Sequence, residues 1–203
     1  KQLKTGKGDY VDTSLLEASI IHTYWASAIS FATEKFSVPM GSAHHLAAPY
    51  QALQTKDGWI TIGCSTQALW LRLLDVLKED ELSKDSRFID NASRAANRDA
   101  LQNLIETKLA LFDRQHWTHL FNKSGVPAGP INNLAEVFSD GQVLHSKLVE
   151  EVRHPLLGPL KLVGSPIQFD LIKGNSIKRA PPLLGEHTSE ILQEFGWSNT
   201  EIE

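Results

Sequence analysis

Histidines and a single cysteine are the residues of this 203-residue chain best suited to acid–base, metal or nucleophilic chemistry. His44 and His45 stand side by side in GSAHHLAAPYQ (residues 41–51), and His116 and His119 flank two residues in RQHWTHLF. Neither pair has a carboxylate or cysteine nearby at the spacing of a zinc motif such as HExxH. The spacing favours structural imidazoles, and we expect no metal site.

Cys64 is the only cysteine, and it directly follows the apolar run WITIG. A small residue at the end of a strand is usually buried, whereas a reactive cysteine needs surroundings that stabilise its thiolate. No such surroundings are visible in the sequence, so we expect a buried structural cysteine rather than a nucleophile. A lone cysteine cannot form a disulfide within the chain, which favours a reducing compartment.

The chain lacks the short motifs of several enzyme classes. It contains no GxxxxGK[ST] phosphate loop, no GxGxxG and no GxSxG serine elbow. Its 20 Lys and Arg residues are spread along the sequence, and the formal net charge is −4, so we expect no nucleic-acid partner. Apolar runs are interrupted well before the roughly 20 residues of a bilayer span. With 41% apolar residues, the composition is that of a soluble globular protein without a membrane segment.

The histidine pair must be positioned by the elements on either side of it. Residues 11–36 (VDTSLLEASIIHTYWASAISFATEKF) carry apolar side chains at spacings near three and four, which predicts one long amphipathic helix. Asp12 or Thr13 could cap its start. Pro39 and Gly41 end it and open the histidine loop.

Beyond that loop the pattern changes to short strands and then to helices. Residues 48–64 (APYQALQTKDGWITIGC) predict two strands joined at an Asp-Gly turn. Three helices are predicted next, over residues 66–80, 97–112 and 114–125, with Gly125 as a left-handed cap. Further on, VPAGPINN is rich in turn formers, NLAEVFSD predicts a short helix, LVEEVRHPLLGPLKLVGSPIQF predicts short strands, and TSEILQEFG predicts a closing helix.

Several longer phrases occur in one order along the chain. They are KTGKGDYVDTSLLEA, GSAHHLAAPYQALQTKDGWITIG, DSRFIDNASRAANRDAL, GVPAGPINNLAEVFSDGQVLHSKLV, HPLLGPLKLVGSPIQF and APPLLGEHTSEIL. Together they resemble the family III CoA-transferases (the CaiB/BaiF family) from about Lys4 to Phe195. The resemblance is specific, because turn chemistry alone would not produce both GVPAGPINN and PPLLGEHT in register.

The resemblance implies the fold of a carboxy-terminal portion, of α/β to α+β class. Residues 1–47 would be a linker helix and loop leaving a Rossmann-like large domain. Residues 48–168 would be a small α+β domain with short antiparallel strands and several helices, and residues 169–203 the return segment and C-terminal helix of the large domain. Family members form interlocked dimers, so we expect a homodimer and, in the isolated chain, exposed apolar surface.

The reaction implied by the resemblance exchanges CoA between an acyl-CoA and a small carboxylic acid, without a metal. An aspartate attacks the thioester to give an acyl-aspartyl anhydride and CoA thiolate, and the thiolate then forms an enzyme–CoA thioester that the acceptor acid attacks. In the family that aspartate precedes the TGxGxxVD phrase, and here Asp9 and Asp12 belong to the phrase itself. We therefore expect no catalytic residue in this chain, and no activity from it alone.

The same resemblance assigns a role to the histidine loop, which would lie at the entry to the small domain and face the acyl end of CoA. His44 falls at a position that is commonly histidine, whereas His45 stands where proline is frequent. His44, Tyr50 and Gln51 are accordingly the candidate substrate-binding residues. The alternative, that both histidines only hydrogen-bond the loop backbone, stays open.

Other readings of the chain are an α-methylacyl-CoA racemase of the same fold and a noncatalytic dimerisation or interaction domain. The loop favours a transferase, because a histidine followed by Ala-Pro-Tyr-Gln is common in carnitine and succinyl-dependent transferases. The chain opens on KQLKTGKGDYVD without an initiator methionine or signal-peptide pattern, as if entered partway. We expect a cytoplasmic protein, or a mitochondrial or peroxisomal one if the source is eukaryotic.

Overall fold

The computed structural model describes residues 2–167, 174 and 176–202. It divides into two compact units, Lys1–Pro130 and Ile131–Glu203. Both combine helices with short antiparallel strands, which confirms the predicted mixed fold with a small α+β part. The first unit ends at Pro130, whereas the predicted small domain runs on to residue 168. That domain assignment refers to a longer protein and stays a prediction.

The amino-terminal region holds three helices, α1 (Gln2–Thr5), α2 (Leu15–His22) and α3 (Tyr24–Thr33). The prediction of one helix from residue 11 to 36 was therefore wrong in its length and its continuity.

The start of α2 and its separation from α3 have local causes. Ser14 caps α2 in place of Asp12 or Thr13: its Oγ accepts from Glu17 N (3.2 Å) while the Glu17 carboxylate accepts from Ser14 N (2.9 Å). After α2, the Thr23 hydroxyl donates to the Ile20 carbonyl (2.6 Å), and Tyr24 has a φ of +46°. Such side-chain bonding competes with helical hydrogen bonds, and the helix is interrupted there.

A three-stranded antiparallel sheet follows the histidine loop. Its strands are β1 (Tyr50–Gln54), β2 (Trp59–Gly63) and β3 (Ala128–Pro130), in the order β1-β2-β3. The predicted strand pair and its turn are confirmed, and Thr55 N donates to Gly58 O (2.7 Å) to close the turn. The third strand arises from VPAGPINN, for which the sequence predicted only turns.

Helices cover one face of this sheet. They are α4 (Gln67–Leu77), a 3-10 helix (Asp80–Ser83), α5 (Asn91–Ala96), α6 (Arg98–Leu109) and α7 (Arg114–Lys123). The three predicted helices correspond to α4, α6 and α7. Gly125 follows α7 with a φ of +69°, as predicted for a left-handed cap.

Strand alternation separates a core face from an open face of the sheet. Leu53, Ile60 and Ile62 are buried and pack with helix residues, among them Trp70, Leu73, Leu74, Leu101, Ile105 and Phe121. Their strand neighbours point the other way, because successive side chains of a strand alternate between faces. The open face borders a groove in the first unit.

The second unit contains α8 (Leu134–Ser139), α9 (Gly141–His145), an antiparallel pair of β4 (Val149–His154) and β5 (Gly158–Val163), and the terminal helices α10 (Thr188–Glu194) and α11 (Asn199–Ile202). The short helix, the strand pair and the helix near the carboxy terminus agree with the predictions. Residues 169–173 and 175 of the predicted return segment, and residue 168 at the end of the predicted small domain, lie outside the described residues. Within the part of the chain that is described, no helix has the length and apolar character needed to cross a bilayer.

Candidate substrate-binding site

A groove of about 390 Å³ lies on the open face of the sheet in the first unit. Its walls come from the histidine loop, from all three strands and from the residue before β3: Ser42, Tyr50, Gln51, Ala52, Thr61, Ile62, Gly63, Pro127, Ala128 and Gly129. These residues carry hydroxyl, amide and small apolar side chains, and none is charged. The groove therefore suits a ligand that is held by hydrogen bonds and shape.

Tyr50 lies across this open face because its neighbour on β2 is a glycine. Tyr50 and Gly63 are cross-strand partners, and a Cβ atom added at Gly63 would lie 3.0 Å from Cε2 of the Tyr50 ring. Any other residue type at position 63 would carry a Cβ atom, and the Tyr50 ring would have to shift to make room for it. Tyr50 is 42% exposed, so its ring presents one side to the groove.

His44 connects Tyr50 to the amino-terminal helices through an aromatic cluster of Trp25, His44 and Tyr50. The imidazole meets the Tyr50 ring edge-on with centroids 4.9 Å apart, and Trp25 stacks on the imidazole at 5.6 Å. His45 also approaches Trp25, at 5.7 Å, and its Nδ1 lies 3.4 Å from Ser37 Oγ. The two histidines thus differ: ring contact with Tyr50 is made by His44.

The orientation of the His44 ring is fixed by its own loop. Leu46 N donates to Nδ1 of His44 (3.1 Å), and His44 N donates to the Tyr50 carbonyl (2.8 Å). Because Nδ1 accepts, Nε2 carries the proton of the neutral ring and is its donor. The His44 ring therefore accepts a hydrogen bond from the loop backbone, as in the alternative interpretation, and it also contacts the Tyr50 ring.

Gln51 borders the groove, but its side-chain amide is hydrogen-bonded on the helix side of the sheet. It follows Tyr50 on β1, is buried, and donates from Nε2 to Gln102 Oε1 on α6 (2.8 Å). Of the three predicted substrate-binding residues, the structure thus brings His44 and Tyr50 together, while the Gln51 amide is engaged on the helix side.

Three residues beneath the loop were missed by sequence reasoning. Asn91 on α5 donates to the carbonyl of Leu46 (2.6 Å), and its Oδ1 accepts from Ala48 N (3.2 Å). The same loop receives two arginines, Arg94 donating to Ala48 O (2.8 Å) and Arg98 donating to Ala47 O (3.3 Å). We call Asn91, Arg94 and Arg98 the helix cradle. They lie in DSRFIDNASRAANRDAL, a phrase that signalled the family but not this contact.

The remaining sequence candidates have structural surroundings. Cys64 is fully buried, its Sγ donates to Leu69 O (3.6 Å), and burial raises the pKa of its thiol to about 12. His116 stacks on Phe112 with centroids 4.2 Å apart. The described residues contain no group of three or more His, Cys, Asp or Glu side chains that could hold a metal ion.

A second cavity, of about 490 Å³, lies within the second unit. Its lining mixes both charges, including Arg153, Lys178 and His187 with Glu151 and Glu186. Two further lining residues, Arg179 and Glu190, pair through two hydrogen bonds of 2.9 and 2.7 Å. Because opposite charges already meet in this lining, it lacks the single sign of charge expected of a site for one charged group.

Comparison of the fold with solved structures identifies a CaiB/BaiF-type architecture. A CaiB/BaiF family protein from Brucella suis superposes with a TM-score of 0.74 at 33% identity, covering 95% of this chain and 50% of that protein. The chain belongs to CoA-transferase family III, whose sequence profile matches residues 1–188.

Two characterised relatives are similar over almost the whole chain. Succinyl-CoA:glutarate CoA-transferase from Homo sapiens is 36% identical over 194 residues, which are 96% of this chain and 44% of that enzyme. Acetyl-CoA:oxalate CoA-transferase from Acetobacter aceti is 29% identical over 192 residues, 95% of this chain and 48% of that enzyme. The chain thus spans about half the length of the relatives it matches.

Proposed function

We propose that the full-length protein carrying this chain is an acyl-CoA:carboxylate CoA-transferase, and that this chain is its carboxy-terminal part, which forms the edge of the acid-binding site. Family membership and the relatives named as CoA-transferases support the reaction class. The observation that carries the role of the chain is the contact between His44 and Tyr50 at the rim of an uncharged groove.

In this proposal the chain supplies hydrogen-bond donors, and the rest of the protein supplies the nucleophile. Nε2–H of His44 and the phenolic hydroxyl of Tyr50 are neutral donors suited to a carboxylate or thioester oxygen. Such fixed donors stabilise oxygen that becomes negative during acyl transfer. The groove lining contains no aspartate or glutamate. We assign the nucleophilic aspartate to the remainder of the full-length protein, as the family resemblance implies.

The covalent sequence then proceeds in balanced steps. The aspartate displaces CoA thiolate from the donor and forms an acyl anhydride, and the thiolate attacks the aspartyl carbonyl of that anhydride to release the donor acid and leave an enzyme–CoA thioester. The acceptor carboxylate repeats the two steps in reverse order and departs as its CoA thioester. Acyl-CoA and a small carboxylic acid are the substrates, and no metal takes part.

Exposed apolar side chains on α2 and α3 support a homodimer. Leu15, Ile21, Tyr24 and Phe31 are between 75% and 89% exposed, and large apolar patches of this kind usually mark an interface. We assign their cover to a second copy of the full-length protein, interlocked as in the family, with the predicted domains 1–47, 48–168 and 169–203. A cytoplasmic location, or a mitochondrial or peroxisomal one in a eukaryote, remains our prediction.

The test is an assay of CoA exchange between succinyl-CoA and a panel of small acids, using the full-length protein. We expect exchange, and we expect His44→Ala to raise the KM for the acceptor acid more than the matched His45→Ala. Equal effects of the two substitutions would contradict the role of His44. Racemisation of a 2-methylacyl-CoA without any exchange would overturn the proposal in favour of a racemase.

A second measurement examines the missing nucleophile. The purified 203-residue chain, free of full-length enzyme, should show no CoA exchange. Turnover by the chain alone would mean that the nucleophile lies within it.

A further inference from the structure

The helix cradle binds three consecutive carbonyls of the histidine loop. The carbonyls of Leu46, Ala47 and Ala48 accept hydrogen bonds from Asn91, Arg98 and Arg94, in that order. Backbone groups in loops usually bond water or each other, whereas these are held by side chains 45 to 51 residues away in sequence. The loop is therefore attached to the helices along its main chain.

The cradle itself is rigid, because its central member is fully buried and bonded at several points. Arg94 lies over the Trp70 ring at 5.0 Å and donates from Nη1 to Gln67 Oε1 (2.9 Å) and to Phe88 O (3.1 Å). Its Nε holds the Ala48 carbonyl. A planar guanidinium donates from separate nitrogens while stacking on a ring, whereas the donors of a lysine ammonium share a single nitrogen.

A direct connection runs from the cradle to the imidazole through one residue. Leu46 donates its N–H to Nδ1 of His44 (3.1 Å), and its carbonyl accepts from Asn91 (2.6 Å). Both main-chain polar groups of Leu46 are therefore hydrogen-bonded, the N–H to His44 and the carbonyl to Asn91. Loss of the Asn91 bond would free the carbonyl of Leu46 and weaken the restraint on the His44 ring.

We propose that Asn91, with Arg94 and Arg98, acts as a positioning residue that fixes His44 and Tyr50 for the acceptor acid, so that this loop is a fixed wall of the site rather than a moving lid. The inference rests on the proposed function. Preorganised donors lower the cost of binding, since the loop is ordered before the acid arrives. Asn91 touches no reacting group and acts through Leu46.

The test uses Asn91→Ala in the full-length protein, with Asn103→Ala as the matched control. Asn103 is an exposed asparagine on α6. We expect Asn91→Ala to raise the KM for the acceptor acid about fivefold, the usual effect of one lost hydrogen bond, with the KM for the acyl-CoA donor unchanged. A merely structural role would move both constants alike or neither, and that result would overturn the proposal.

A readout that is independent of catalysis separates this inference from the proposed function. Hydrogen exchange of the Leu46 amide should be faster in Asn91→Ala than in Asn103→Ala, because its acceptor His44 is no longer held. If the wild-type protein shows no CoA exchange, the proposed function fails while this measurement still decides the positioning role. Unchanged exchange at Leu46 would overturn it.

A milder variant covers the case in which Asn91→Ala does not fold. Arg98 lies at the edge of the cradle. Its hydrogen bond to Ala47 O, at 3.3 Å, is the longest that the cradle makes to the loop. Arg98→Gln should shift the acceptor KM in the same direction by about twofold, with an unaltered donor KM. A selective rise supports the cradle, and an unchanged acceptor KM contradicts it.

Discussion

The two compact units of the chain are stabilised in different ways. Between Lys1 and Pro130, large apolar side chains of the sheet and of the helices that cover it are fully buried together. In the described part of Ile131–Glu203, no large apolar side chain is fully buried, and His154 is the one buried residue with a polar side chain. The first unit thus relies on apolar burial and the second on hydrogen bonds.

Polar contacts in the second unit show what replaces a core. Nδ1 of His154 accepts from both Leu156 N and Leu157 N (each 3.1 Å), which stabilises the turn between β4 and β5. Glu150 accepts from Ser176 N (2.9 Å) and Ile177 N (3.0 Å). Individual bonds of this kind contribute little net free energy. We therefore expect the second unit to gain much of its stability from the rest of the full-length protein.

The largest contrast should come from removing one phenylalanine from each unit. Phe121 on α7 is fully buried and Phe138 on α8 is 40% exposed. Phe121→Ala should lower the free energy of unfolding by about 3–5 kcal/mol, and Phe138→Ala by about 1 kcal/mol or less in the 203-residue chain. Denaturant unfolding of both variants checks this. Equal losses would abolish the distinction between the units.

Chemical labelling measures the burial of the first unit directly. Because burial raises the pKa of Cys64 from 9.0 to about 12, the native thiolate at pH 8 should be about a thousandfold rarer than in the unfolded chain. We expect disulfide-exchange reagents to label the native protein correspondingly slowly. The raised pKa also predicts that ionisation of Cys64 leaves the free energy of unfolding unchanged below pH 9. Above pH 9 the free energy of unfolding should decrease as the pH rises toward 12. Rapid labelling of the folded protein would mean that Cys64 is accessible.

A smaller effect is expected on the open face of the sheet. In Gly63→Ala the new methyl group would meet the Tyr50 ring at 3.0 Å, whereas in Gly129→Ala it would lie 3.9 Å from Thr61 Oγ1, an ordinary contact. We expect Gly63→Ala to raise the acceptor KM about fivefold by displacing Tyr50, and Gly129→Ala to change it little. Steady-state kinetics of the full-length protein distinguish them. A larger effect of Gly129→Ala than of Gly63→Ala would contradict the role of Tyr50 in binding the acceptor acid.

The smallest effect concerns Glu150, the acid that accepts hydrogen bonds from Ser176 and Ile177 in the second unit. Hydrogen bonds from Ile177 N and Ser176 keep the pKa of Glu150 below its ordinary value of 4.5. These contacts are therefore complete above pH 4.5 and are lost as the pH falls through the lowered pKa. The protection of the Ser176 amide, relative to the intrinsic exchange rate at each pH, should fall over that range, and at neutral pH the amide should exchange faster in Glu150→Gln than in the wild-type chain.

Glu151→Gln is the matched control for this measurement, because Glu151 is the exposed neighbour of Glu150 on β4. It should leave the Ser176 amide as it is in the wild-type chain. Acceleration in both variants would show that the segment responds to net charge rather than to the Glu150 contacts.

Much of the fold could be predicted because it depends on local patterns. The strand pair around Asp57-Gly58, the helices α4, α6 and α7, and the cap at Gly125 all follow from apolar period and turn chemistry. The long amino-terminal helix was wrong because periodicity persists across Thr23, while a hydroxyl bond and one left-handed residue interrupt the backbone. Periodicity reports which faces are apolar and is insensitive to a single break.

The site was predictable only in part, for a related reason. The family resemblance drew attention to His44 and Tyr50, and strand alternation could have warned that Gln51 points to the other face. The cradle could not be found this way, since Asn91 and the arginines resemble solvated helix residues. Their partners are main-chain carbonyls of a distant loop, which have no signature in side-chain types.

The attachment of the loop through its main chain limits its length more than its composition. Leu46 is 53% exposed, and its bonds to His44 and Asn91 use backbone atoms that every residue type except proline can provide. Substitution there should be tolerated. An insertion or deletion between His44 and Ala48 would instead bring the wrong carbonyls opposite the cradle, so related loops should differ in sequence while keeping the number of residues constant.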